Sequence, residues 1–160
     1  MPHAILLALA VTVGLAAPTL GEERPDQEQL LIAVQRICPV SGQRLGGHGP
    51  PVRTRIGEQT VYLCCSACLR GKVDARHWSA VQANLARAQQ KCPVMNKPLP
   101  KNASPTVVDG RVIYICCPPC ADKIAADREK YFRAVDDLYL AHLKAEQAGP
   151  AEQSQRPHHH

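Results

Sequence analysis

Cys38-Pro39-Val40-Ser41-Gly42-Gln43-Arg44-Leu45 returns further along the chain as Cys92-Pro93-Val94-Met95-Asn96-Lys97-Pro98-Leu99, and Thr60-Val61-Tyr62-Leu63-Cys64-Cys65-Ser66-Ala67-Cys68 is echoed by Val112-Ile113-Tyr114-Ile115-Cys116-Cys117-Pro118-Pro119-Cys120. Leu45 matches Leu99, Thr54 matches Thr106, Tyr62 matches Tyr114, and Cys64-Cys65 matches Cys116-Cys117. All eight cysteines fall into these two sets of four. Coincidence of residue type and spacing on this scale marks a tandem duplication. Each unit of about 54 residues is too short to bury much surface, so a staple is expected.

Each unit gives the same order of elements. A polar loop follows the Cys-Pro-Val turn; in the first unit it is Gly46-Gly47-His48-Gly49-Pro50-Pro51, two residues longer than its counterpart. A hairpin comes next. In the second unit Thr106-Val107-Val108 and Arg111 to Ile115 flank the turn pair Asp109-Gly110, and in the first Arg55-Ile56 and Thr60 to Leu63 flank Gly57-Glu58-Gln59. A helix is expected to begin near the last cysteine of each unit. Apolar residues recur at helical spacing over Asp74–Gln90 (Trp78, Val81, Leu85) and over Asp122–Ala148 (Tyr131, Ala134, Val135, Leu138, Leu143). A further helix, Asp26–Arg36, precedes the first unit with Leu30, Leu31, Val34 and Ile37 inward. The fold class expected is α+β, with two small modules, each a cysteine turn, a β-hairpin and a helix.

The flanks are of another kind. Ala4 to Ala17 is an uncharged apolar run of signal-peptide length, with Thr19-Leu20-Gly21 as a cleavage site ahead of Glu22 and Gly14-Leu15-Ala16 as a second candidate. The chain therefore divides into a signal peptide (1–21), an N-terminal helix (22–37), repeats at 38–90 and 91–148, and a disordered tail (149–160). Export would place the protein in a periplasmic or extracellular setting, where thiols oxidise unless protected. No run approaches the roughly 20 apolar residues of a membrane span, so no stable span should remain after signal removal. The net charge of +5 is scattered and lacks interleaved aromatics, which make up only 4% of the 160 residues; nucleic acid is not an expected partner.

The cysteines carry the chemistry. Cys64-x3-Cys68 and Cys116-x3-Cys120 bracket a strand-to-helix junction, where free N–H groups favour the thiolate, and the hairpin can return Cys38 or Cys92 to the same point. Neighbours on a strand point to opposite faces, so Cys64 and Cys65, or Cys116 and Cys117, should not serve one ion unless the chain turns sharply there. First ligands are thus Cys38, Cys64 and Cys68, and Cys92, Cys116 and Cys120. Cys65 and Cys117 are fourth ligands or spare thiols. His48 or His77 is a conceivable fourth ligand in the first unit only. All-thiolate sites suit Zn(II) or Cu(I), one ion per repeat. Two other readings compete: a disulfide framework, and a thiol oxidoreductase using Cys65-Ser66-Ala67-Cys68 or Cys117-Pro118-Pro119-Cys120, although a thioredoxin fold needs βαβ units that are not visible here. No general base, Ser/His/Asp set or phosphate loop appears, and catalysis is not expected.

At these residues the chain resembles the YHS and TRASH-type heavy-metal-binding modules, whose pattern is a cysteine turn, a spacer, then Tyr-x-Cys-x3-Cys leading into a helix. CPVSGQRL…TVYLCCSAC and CPVMNKPL…VIYICCPPC match it twice, over Cys38 to about Leu143. The doubled cysteine and the absence of a Tyr-His-Ser triplet depart from it. The resemblance implies a treble-clef-like fold, binding of copper, zinc or a related soft metal, a role in metal capture, buffering or delivery with a protein partner in metal transfer, and no enzymatic activity.

Overall fold

The computed structural model describes residues 26–149; the expected signal peptide, and all of the expected tail but Gly149, lie outside them. The order is α1 (Gln27–Gln35), β1 (Val52–Ile56), β2 (Gln59–Leu63), a 3-10 turn (Ser66–Arg70), α2 (Ala75–Gln89), β3 (Ser104–Val108), β4 (Arg111–Ile115), α3 (Pro119–Ala126) and α4 (Arg128–Ala148). The class is α+β, as expected. β1 pairs antiparallel with β2 and β3 with β4, giving two separate two-stranded sheets. The second hairpin closes on Asp109 and Gly110, both at positive φ (49° and 82°), the conformation that a two-residue turn between twisted strands demands. No helix among the described residues is long and apolar enough to cross a membrane.

Two expectations are corrected. No α-helix begins at Cys68; that cysteine sits in the 3-10 turn, and Gly71 to Asp74 intervene before α2. The Asp74 carboxylate then caps α2 by accepting the N–H groups of Arg76 (2.9 Å) and His77 (3.0 Å). Nor is 122–148 one helix. A helix starts earlier, at Pro119, because proline suits a first helical position, and it stops at Asp127, which leaves helical dihedrals (φ −140°, ψ 67°) and accepts the N–H of Lys130 to start α4.

One core joins the two units. Leu30 and Val34 of α1, Val81, Leu85 and Ala88 of α2, Val112 to Ile115 of β4, Ile124 of α3, and Val135 and Tyr139 of α4 pack together with Cys92 and Cys120. Cys38, Leu63 and Cys64 form a smaller cluster, backed by Val40, Leu45 and Val52. Trp78, read as core, is only half-buried. The hairpins also touch directly: the Thr60 N–H donates to the Gly110 carbonyl at 2.8 Å. Asp136 of α4 receives the buried Arg111 guanidinium at 2.5 and 3.3 Å, and the Phe132 ring lies 4.7 Å from that guanidinium.

The repeat reaches further back than Cys38. Gln35 ends α1 and Gln89 ends α2, each three residues ahead of its Cys-Pro-Val cysteine, and both are buried. The Gln35 side chain donates to the carbonyls of Ile37 (2.9 Å) and Tyr62 (2.7 Å) and accepts the Tyr62 N–H (2.9 Å). Gln89 does the same with Lys91 (2.9 Å) and Tyr114 (2.6 and 2.9 Å). The next residues, Arg36 and Gln90, take positive φ (69° and 55°), which stops each helix and aims the chain at the knuckle.

Candidate metal centres

Each knuckle is held by backbone bonds at matching positions. The Cys38 N–H donates to the Gln43 carbonyl (2.8 Å) and its carbonyl accepts the Gly42 N–H (2.9 Å); Cys92 repeats this with Lys97 (2.9 Å) and Asn96 (2.8 Å). Gly42 and Asn96 both take positive φ (72° and 51°), a conformation that glycine and asparagine adopt most readily. The clamped strand ends then deliver Cys64 and Cys116 to the same places.

The Sγ atoms of Cys38, Cys64 and Cys68 lie within 4.8 Å of one another, and so do those of Cys92, Cys116 and Cys120. These are the two trios read as first ligands. Cys64 and Cys68 are 3.7 Å apart, Cys92 and Cys120 3.7 Å, and Cys116 and Cys120 4.0 Å. A disulfide requires about 2.05 Å, and all eight cysteines are free. Four thiolates at a Zn–S bond of about 2.3 Å stand about 3.8 Å apart, and three in a trigonal plane about 4.0 Å. The separations observed match the spacing of sulfurs around a shared cation.

Cys65 and Cys117 stand outside the mutually close trios. Their sulfurs are nevertheless near. Cys65 is 3.9 Å from Cys64 and 3.8 Å from Cys68, and Cys117 is 3.9 Å from Cys116 and 3.1 Å from Cys120. The exception foreseen for a sharp turn applies here, and each neighbouring pair comes close without Cys65 or Cys117 entering the trios. Both strands end one residue before the pair, at Leu63 and Ile115, and the chain turns there, so strand alternation no longer applies. The histidines do not join: among the described residues no histidine belongs to either sulfur group. His77 instead places Nδ1 3.3 Å from the Val40 carbonyl, and His48 is exposed in its loop.

The thiols are electrostatically unequal. Burial pushes the Cys38 thiol up, but the N–H groups of Ser41 and Cys64, the Ser41 hydroxyl and the Val40 N–H together outweigh it and bring it down to about 7. Cys92 is lowered in the same way, burial being outweighed by the N–H groups of Cys116, Met95 and Val94. Burial, then the neighbouring sulfurs, pushes Cys68 up to about 12 and raises Cys120 as well. Each site thus lowers its buried knuckle cysteine and raises its last cysteine, Cys68 or Cys120, and a cation bound through sulfur would displace the proton of that raised thiol. The two sites also differ beside the knuckle: Ser41 Oγ lies 3.2 Å from Cys64 Sγ, whereas Met95 occupies the matching position and is exposed.

No family model, curated protein or solved structure matches the chain. The described residues hold two groups of three cysteines, each close enough to hold a metal ion, with no disulfide at bonding distance.

The buried glutamines are what the cysteine pattern hid. Their signal was present: Gln-x-x-Cys-Pro-Val occurs at both Gln35 and Gln89. A polar residue at the end of an apolar helix face, repeated in register with a ligand, marks a structural hydrogen-bonding role.

Proposed function

We propose that this chain is an exported carrier of a soft metal ion, Zn(II) or Cu(I), that takes one ion per repeat through cysteine thiolates and works in capture, buffering or delivery. The observation that carries the reading is the convergence, twice over, of three sulfurs from a knuckle and a strand end at separations too long for disulfides and suited to a shared ion. All-sulfur donor sets select soft or borderline cations over Mg(II) or Ca(II). The succession of cysteine knuckle, hairpin and following turn or helix supports a treble-clef-like module of the YHS or TRASH kind. Binding rather than catalysis is the reading, because the site offers ligands and no nucleophile–base pair.

Protein purified under reducing conditions should carry about two ions per chain, with thiols protected until a chelator is added. Cys64→Ser should remove about one ion and leave the second repeat able to bind. Absence of metal together with absence of free thiols would favour a disulfide framework and overturn the reading. Equal stoichiometry in variant and parent would remove Cys64 from the ligand set.

A further inference from the structure

The doubled cysteines form a pattern that three-ligand binding leaves unused. Cys64 and Cys68 form an edge shared by two sulfur triangles: Cys38 closes one and Cys65 the other. In the second repeat the edge is Cys116–Cys120, closed on one side by Cys92 and on the other by Cys117. Each inner apex, Cys38 or Cys92, is fully buried. Each outer apex, Cys65 or Cys117, is half-buried and followed by two exposed residues, 66–67 or 118–119. A fourth tetrahedral ligand would have to stand about 3.8 Å from all three others. Cys65 meets that for two sulfurs of the trio and Cys117 for one, its distance to Cys120 being 3.1 Å, and neither is grouped with the buried knuckle sulfur.

We propose that Cys65 and Cys117 are exchange thiols, through which each site passes its ion outward to a partner that presents a pair of cysteine thiols. The proposal rests on the metal-carrier reading. The ion is held first by the buried triangle. A bond to Cys65 forms and the bond to Cys38 breaks, while Cys64 and Cys68 stay attached. Cys65 gives up its proton on binding, and the released Cys38 thiolate takes one up. The oxidation state of the ion and the net charge of the cluster do not change. In the outer triangle the ion borders the exposed segment, where the partner's two thiols replace this chain's cysteines one by one; two of the three departing thiolates take up the protons those thiols lose, and the third takes its proton from water. An internal thiol less than 4 Å from both retained ligands acts at a high effective concentration, so the first replacement needs no encounter with a partner.

The test uses the full-length chain, loaded with Cu(I) and, separately, Zn(II), as the parent and as the Cys65→Ser/Cys117→Ser and Cys65→Ala/Cys117→Ala double variants. Metal per chain and affinity against a competing chelator are measured at equilibrium, and transfer to a Cys-x-x-Cys peptide by rapid mixing. Both variants should keep the parent's stoichiometry and lose far less affinity than transfer rate, which should fall by about tenfold or more. A loss of stoichiometry, or an affinity drop of similar size, would make the outer cysteines permanent ligands and overturn the proposal. Unchanged transfer would make them bystanders, with the same result. A parent that binds neither ion would instead overturn the carrier reading itself, so the two failures are distinguishable.

Discussion

Replacing Gln89 by leucine isolates the device that fixes the distance between the second knuckle and its strand. Gln89 has no exposed surface, and its side chain makes three hydrogen bonds, two to the Tyr114 backbone and one to the Lys91 carbonyl. Leucine fills similar space and leaves the Tyr114 N–H and C=O without partners inside the core; the Lys91 carbonyl belongs to an exposed residue that water can reach. Each orphaned buried group costs about 1–3 kcal/mol, and leucine recovers part of that through apolar burial, so the net loss should be about 3 kcal/mol. For a domain of this size that lowers Tm by about 10–15 °C. The assay is urea and thermal unfolding of the reduced, metal-free chain. Cys92 follows Lys91 directly and Cys116 lies two residues beyond Tyr114, so the second site should also lose affinity while the first keeps it. Gln35→Leu should mirror the result in the first repeat, where the matching distances are 2.9, 2.7 and 2.9 Å. A Gln89→Leu protein within about 1 kcal/mol of the parent would refute the clamp, since that is the size of an ordinary substitution effect.

Asp136→Ala should destabilise the chain by about 3–5 kcal/mol in urea, because it strands the Arg111 guanidinium, 7% exposed, inside the core; a loss under about 1 kcal/mol would show that water reaches that charge. The reduced, metal-free chain should show ultraviolet thiolate absorption rising with a midpoint at about 7, and Cys38→Ser should shrink that step and leave the part due to the other lowered cysteines, Cys92 and Cys65. The sign for stability follows: with the ordinary thiol value at 9.0, the Cys38 contribution is complete above 9.0 and is lost as pH falls through about 7. Cys68 acts oppositely, its contribution being present below 9.0 and lost as pH rises toward about 12. A titration with no step below 9.0 would contradict the N–H environment assigned to Cys38.

Much of this fold is legible in the residues because local rules dominate it. Asp109-Gly110 can hardly be anything but a hairpin turn, and the spacing of Val81 and Leu85 settles α2 to within a residue at each end. The ligand trios follow from a hairpin that returns one cysteine to two others. Three features depend on geometry that the cysteine spacing alone does not reveal. Nothing in Cys64-Cys65 says that the strand ends at Leu63, and alternation was the wrong rule one residue later. The apolar stripe runs straight across Asp127, so the break between α3 and α4 is marked only by the dihedrals of that one residue and its side-chain cap on Lys130. Dividing the repeats at their cysteines set α1 apart from the first unit and hid Gln35 and Gln89, whose partners lie 27 and 25 residues away across the fold.

That division also conceals how α2 serves both units. Its start belongs to the first knuckle: the Asp74 N–H donates to the Pro39 carbonyl at 3.0 Å, and His77 lies against the Val40 carbonyl. Its end belongs to the second, through Gln89 and the turn at Gln90. A helix of 15 residues is about 22 Å long, so α2 stands as a strut between the two knuckles. That strut sets the two trios at opposite ends of the helix, so two separate ions rather than a shared cluster fit the arrangement proposed, and loss of Cys64 should spare the second site. Folding obeys the opposite logic. Neither unit of about 54 residues carries enough core alone, and the large cluster draws on α1, α2, β4, α3 and α4 together. The second knuckle is built into that cluster through Cys92 and Cys120, while the first rests on the small set of Cys38, Leu63 and Cys64. The matching cysteines are therefore backed unequally, and if the sites take metal as proposed, the first repeat should gain more order from its ion than the second.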